Sequence, residues 1–197
     1  MYKKILAAVN EFVNSEEAAR YALSLARASG AKLFMVFIAE ETFEKEKLRH
    51  AEAALERLFI EAEESGVEVE SIIESGDPVR KICGLVRELD IDIVFTATRR
   101  EDVKKQFFMK TLSRQLMMRL SCSVAVVRIV RMGGIHLKNI LVPLRGRIAG
   151  LEERAHFIAK LAEGTGAKIT LYHTHKPVTR FFHGEMHLKP LDRDAHI

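Results

Sequence analysis

An α/β fold with an open, doubly wound parallel sheet is the class this sequence predicts, and three observations carry it. Five apolar or β-branched runs alternate with four amphipathic stretches before residue 131, the pattern of repeated βα units. The run 31–39 (AKLFMVFIA) is apolar almost throughout, as a strand covered on both faces requires. The stretch 91–130 reads as strand, charged loop, helix and strand, which is one right-handed crossover unit. In such sheets a ligand sits beyond the carboxyl ends of the strands, at the topological switch, so the loop after Thr98 is where chemistry is expected.

Each element has its own signal. Residues 3–10 (KKILAAVN) form a first strand ending on a turn former, with Asn14 or Ser15 expected to cap the helix that follows. Glu16 and Glu17 suit the positive end of that helix, Ala18, Ala22, Leu25, Ala26 and Ser29 give it a narrow small-residue face, and Gly30 stops it. A long amphipathic helix is predicted from about Phe43 to Ser65, with Leu48, Ala51, Leu55, Leu58 and Ala62 on one side. Residues 67–74 alternate apolar and acidic side chains, the mark of a strand with one wet face and so of a sheet edge. Gly76, Asp77 and Pro78 combine a turn, an N-cap carboxylate and a proline at N1, and predict a helix to about Leu89. In the central unit the strand 91–98 leads through a charged loop to a helix marked by Phe108, Leu112, Leu116 and Leu120, and the strand 123–130 closes it.

Composition limits the function classes. The chain has 197 residues, 48% of them hydrophobic and 29% charged, with a formal net charge of +4. That is enough apolar material for a sizeable core and too few uninterrupted apolar residues for a membrane span, and the amino terminus reads as a strand rather than a secretory signal. A cytoplasmic location is therefore expected. Cys83 and Cys122 are too few for a disulfide framework and read as small buried residues.

After residue 131 the sequence repeats itself. Gly133 and Gly134 mark a linker over 132–136. Residues 137–144 (LKNILVPL) then match 2–9 (YKKILAAV), and 161–173 match 25–37, about 136 residues further on. The expected organisation is a complete domain over 1–131 and, over 137–197, a truncated second copy with only the first β-α-β unit and an irregular tail. Two strands and a helix bury no core alone, so this piece is expected to dock on the first domain, on a second chain or on further residues.

On these residues the chain resembles the universal stress protein family: the opening KKILAAVN, the later GAKLFMVFIAE, the GDPVRKI helix start, the DIVFTATR strand and the ending CSVAVVRIV. The resemblance implies a Rossmann-like sheet in the order 3-2-1-4-5 and a homodimer through the last strand, with Val124, Val126, Val127 and Ile129 at the interface. ATP-binding members carry an Asp at the end of strand one and G-x-x-G-x9-G-[ST] after strand four, where glycine lets backbone N–H groups approach phosphate. This sequence has Asn10 for the Asp, Ala97 and Arg100 for the first two glycines, Lys110 for the third, and Thr111 for the hydroxyl residue. Arg145 stands in the second copy where that Asp would be. With Ile38, Arg99 and Ser113, these first-domain positions form the expected nucleotide or anion cleft, degenerate because Arg100 and Lys110 fill space that a triphosphate needs. The expectation is a non-catalytic stress-response interaction module without a cofactor, with a protein partner that the residues do not name. The alternative is a switch whose occupancy by ATP or AMP controls dimerisation or partner binding.

Other constellations give weaker signals. Cations outnumber acids between Arg99 and Arg119, but no stacking aromatics are interleaved, which disfavours nucleic acid. His173, His175, His183 and His187 have metal-like spacing without a defined ligand set, so no metal is expected. No nucleophile elbow, P-loop or HExxH occurs, and Thr111 and Ser113 have no base nearby in sequence.

Overall fold

A computed structural model of the chain describes residues 2–40, 45–98, 111–130, 137–144 and 150–173. In chain order the elements are β1 (Lys4–Ala8), α1 (Val13–Ser29), β2 (Lys32–Ala39), α2 (Lys45–Glu64), β3 (Val69–Ser75), α3 (Pro78–Glu88), β4 (Ile93–Thr98), α4 (Leu112–Arg119), β5 (Ser123–Arg128), β6 (Asn139–Leu144), α5 (Leu151–Thr165) and β7 (Lys168–His173). The first five strands form one parallel sheet in the order β3-β2-β1-β4-β5, the order the family resemblance implied.

Alternation along the central strands builds two cores. Ile5, Ala7, Met35, Phe37 and Phe95 face α1 and α2, where Ala22, Leu25, Leu55 and Leu58 are buried. Leu6, Phe34, Val36 and Val94 face the opposite side and meet Val79, Ile82, Val86 and Leu116 of α3 and α4. The near-continuous apolar sequence of β2 follows from this double cover, and the alternating sequence of β3 from its place at the edge. At the amino ends of the strands, the backbone N–H groups of Lys3 and Lys4 donate to the Asp92 carboxylate at 2.6 and 2.9 Å, which pins β1 beside β4.

The start of α1 corrects one expectation. The helix begins at Val13 with Phe12 as N-cap, so Asn14 and Ser15 lie inside it and neither caps it. The turn is closed from outside instead. Asn10 Oδ1 accepts the Phe12 N–H at 3.0 Å, while Ser15 Oγ accepts the Asn10 N–H at 2.9 Å and lies 3.1 Å from the Asn10 carbonyl. Glu16 does sit in the first turn, and it is buried with Glu17. Arg57 of α2 grips Glu16 through Nε and Nη2 at 3.0 and 2.8 Å, and Arg20 bonds Glu16, Glu17 and Glu61. These pairs fix α2 against α1 and hold the Glu16 carboxyl below the usual range, the Arg57 hydrogen bonds being the largest cause.

Beyond residue 136, β6 and β7 form a separate two-stranded parallel ribbon, and α5 packs on the first five strands' layer. Of the three docking possibilities, the structure shows the first. Phe157 meets Tyr2 edge-on at 6.4 Å between centroids and Phe95 at 6.2 Å, so α5 covers the α1-side face of β4 and β5. Arg27 of α1 donates to the Gly164 carbonyl, and the Ser123 hydroxyl donates to Glu153. Gly164 is needed at the crossing: a Cβ there would lie 2.1 Å from the Ser24 carbonyl oxygen. Burial, together with Glu153 and Asp92, pushes the Tyr2 phenol up to about 12.

Candidate functional site

The cleft lies beyond the carboxyl ends of β1, β2 and β4, where the order 3-2-1-4-5 reverses between β1 and β4. A cavity of about 550 Å³ opens there, within the range that holds a small ligand. Its floor is formed by the strand ends, with Ile38 from β2 and Thr96 and Ala97 from β4. One wall is the turn from β1 into α1, carrying Asn10 and Asn14; another is the start of α4, carrying Thr111 and Ser113; Lys47 of α2 and Asp77 at the start of α3 complete the rim.

Five of the eight residues expected in a nucleotide or anion cleft therefore line one cavity: Asn10, Ile38, Ala97, Thr111 and Ser113. Arg99, Arg100 and Lys110 lie outside the described residues. What each of the five presents follows from its other bonds. Asn10 Oδ1 already accepts from Phe12, which leaves its amide N–H groups as the side chain's donors. Thr111 is the N-cap of α4 and accepts from the Arg114 N–H at 3.4 Å. Ser113 is 3% exposed; its hydroxyl donates to the Ala97 carbonyl at 3.2 Å and lies 3.4 Å from Thr96 Oγ1. Ser113 ties β4 to α4 while Thr111 caps α4 itself, and no base activates either hydroxyl among the hydrogen bonds described.

Some lining residues were not read from the sequence. Glu40 directly follows the last residue of β2 and Lys47 lies in the first turn of α2, and both line the cavity. Asn14 was read as a cap; its Oδ1 is instead a buried acceptor without a hydrogen-bond partner among the described residues. Asp77 was legible as a cap and acts as one, accepting from the Arg80 N–H at 2.8 Å.

The other expected features fall as follows. Val124 and Val127 are half-buried in β5, Val126 is 37% exposed, and Ile129 lies just past the last β5 residue. β5 is an edge strand whose one sheet neighbour is β4. Cys83 and Cys122 are half-buried free thiols, and burial pushes the Cys122 thiol up. His173 ends β7 in an exposed position, and His175, His183 and His187 are outside the described residues. Among the described residues no cluster of His, Cys, Asp or Glu could hold a metal, and no helix is long and apolar enough to cross a membrane.

Comparison with known proteins agrees with this fold. The model of the universal stress protein family matches residues 1–128. The universal stress protein UspA from Lactobacillus plantarum superposes with a TM-score of 0.57 at 16% identity, over 64% of this chain and 98% of its own. A universal stress protein solved in complex with cAMP gives 0.55 at 19% identity, over 64% and 97%. The universal stress protein from Archaeoglobus fulgidus in complex with dAMP gives 0.50 at 18% identity, over 64% and 97%. A search of curated proteins finds no match. The fold, the strand order and the family model converge over the first two-thirds of the sequence, and the chain belongs to the universal stress protein family.

Proposed function

We propose that this chain is a non-catalytic nucleotide-binding module of the universal stress type, taking a nucleoside monophosphate in the cleft between β1 and β4. The single observation that carries this reading is the cavity itself. About 550 Å³ opens at the carboxyl ends of the strands, and its described lining includes Asn10, Ile38, Ala97, Thr111 and Ser113. The same-fold proteins solved with cAMP and dAMP support a monophosphate as the ligand class. The sequence has Ala97, Arg100 and Lys110 where ATP-binding members carry the glycines that let backbone N–H groups approach phosphate, which counts against ATP. The role that follows is a switch or sensor: a ligand binding at the β1 and α4 termini stabilises the folded arrangement that holds it. Amide hydrogen exchange tests the location. Added AMP should slow exchange at the starts of α1 and α4, and unchanged exchange at millimolar AMP would remove the cleft from consideration.

Two further features belong to this proposal. The chain is organised as a complete unit over 1–131, a linker over 132–136 and a partial second unit over 137–197 whose helix α5 is welded to the first. Two copies pair through β5, because its outer edge has no partner strand among the described residues and an open edge invites pairing. The module then acts in the cytoplasm through a protein partner that reads its occupancy.

A further inference from the structure

Asn10 stands just past β1 in the wall of the cleft, and its own bonds fix which way its amide faces. A backbone N–H can only donate, so the Phe12 N–H at 3.0 Å requires Oδ1 on that side and puts the NH2 group on the other. The turn is closed again by the Asn10 N–H, which donates to Ser15 Oγ at 2.9 Å, and by the Ser15 hydroxyl, which lies 2.8 Å from the Phe12 carbonyl. Swinging the side chain round would strip the Phe12 N–H of its acceptor, so the amide is held in one orientation. Its nitrogen has no hydrogen-bond partner among the described residues. The partnerless polar side-chain atoms shut away from solvent are, among the described residues, Asn14 Oδ1 and Ser29 Oγ, and the Asn10 nitrogen is not one of them. It is therefore an accessible pair of N–H donors, fixed in the wall of the cavity.

Resting on the nucleotide reading above, we propose that Asn10 binds the ligand as a hydrogen-bond donor, to an acceptor atom that has no proton of its own to give. The aspartate that ATP-binding members carry at this position offers acceptors only. It could make the same bond to the Phe12 N–H, and would then turn a carboxylate oxygen toward the cleft. Asn10 has that shape with the opposite polarity, so the replacement reverses one contact instead of deleting it. The matching ligand atom is a phosphate oxygen or an acceptor of the nucleoside, and a carboxylate would repel the lone pair of either. Aspartate at position 10 suits a triphosphate only where glycines at 100 and 110 present backbone N–H groups to it as well.

Calorimetric titration of the full chain with adenosine and with AMP tests this, using two variants that keep an acceptor for the Phe12 N–H. Asn10→Ser retains a side-chain oxygen two residues before Phe12 and adds no charge, but loses the NH2 group. It should bind AMP about fivefold more weakly, the loss of one neutral hydrogen bond. Asn10→Asp turns an acceptor to the cleft and should weaken AMP at least about tenfold. Loss of AMP affinity with adenosine unchanged places the acceptor on the phosphate, and equal loss of both places it on the nucleoside. If Asn10→Asp weakens AMP while Asn10→Ser binds it as the parent does, charge repulsion alone is at work and the donor role is overturned. The role is equally overturned if Asn10→Asp binds AMP as tightly as the parent. Both of those results leave the nucleotide cleft standing. If the parent chain binds neither adenosine nor AMP, the cleft reading itself falls, and this inference with it.

Discussion

Replacing Gly164 by alanine separates two forces that predict opposite signs. Alanine is the better helix former, and in a helix interior the change would stabilise by up to about 1 kcal/mol. Near the end of α5 the gain is smaller. The crossing with α1 works the other way. The new Cβ would stand 2.1 Å from the Ser24 carbonyl oxygen and 2.8 Å from its carbonyl carbon, against an ordinary contact near 3.4 Å or more. Both of those atoms are backbone, so no rotamer change relieves the clash and the helices must part. Overpacking of this kind costs about 1–3 kcal/mol, and parting also loosens the Arg27 bond to the Gly164 carbonyl and the contacts of Phe157 with Tyr2 and Phe95. Those aromatic contacts contribute about 0.5–1.5 kcal/mol each. The net expectation is a loss of about 1–2 kcal/mol in urea unfolding followed by circular dichroism. A fall in the urea m-value would report that α5 had already left the surface before the main transition. Gly164→Ala as stable as the parent, or more stable, would refute the docking of α5 on α1.

Other consequences follow from the same structure. Glu16 has a lowered carboxyl pKa, so its contribution to stability is present above the unfolded value of 4.5 and is lost as pH falls through the lower folded value. Glu16→Gln should therefore flatten the acid limb of the stability-pH curve, and an unchanged acid limb would mean that the pairing with Arg57 and Arg20 does not matter to folding. Charged residues at both Val126 and Val127 should turn a dimer into a monomer by light scattering; an unchanged mass would reject β5 as the interface. Restoring Asp at position 10 together with Gly at 100 and 110 should raise ATP affinity at least about tenfold, or about 1.4 kcal/mol, and no gain by calorimetry would show that those positions are not what limits triphosphate binding.

The sheet and its flanking helices were legible because local signals and the global fold agree. Asp77-Pro78 caps α3 as its residue types demand, β2 is apolar because it is covered twice, and β3 alternates because it is an edge. Asn10, Ala97 and Thr111 were expected at the cleft from the family resemblance, and they line one cavity because they sit at element ends that a sheet of this order brings together. The start of α1 was misread because a serine next to a glutamate pair resembles a capping signal; Ser15 is instead spent on the backbone of Asn10 five residues earlier. Lys47 and Gly164 escaped notice for a different reason. The first lines the cavity from the first turn of α2, the second is defined by the close approach of Ser24 from far away in sequence, and neither leaves a trace in its own neighbourhood.

Calorimetric titration of the full chain with AMP and ATP, after a denatured sample has been checked for co-purified nucleotide, tests the central claim most directly. The account predicts saturable binding of one AMP per chain and weaker binding of ATP. No heat of binding from either nucleotide at millimolar concentration, with none trapped in the purified protein, would contradict it and leave the chain as an interaction module whose cleft is not used.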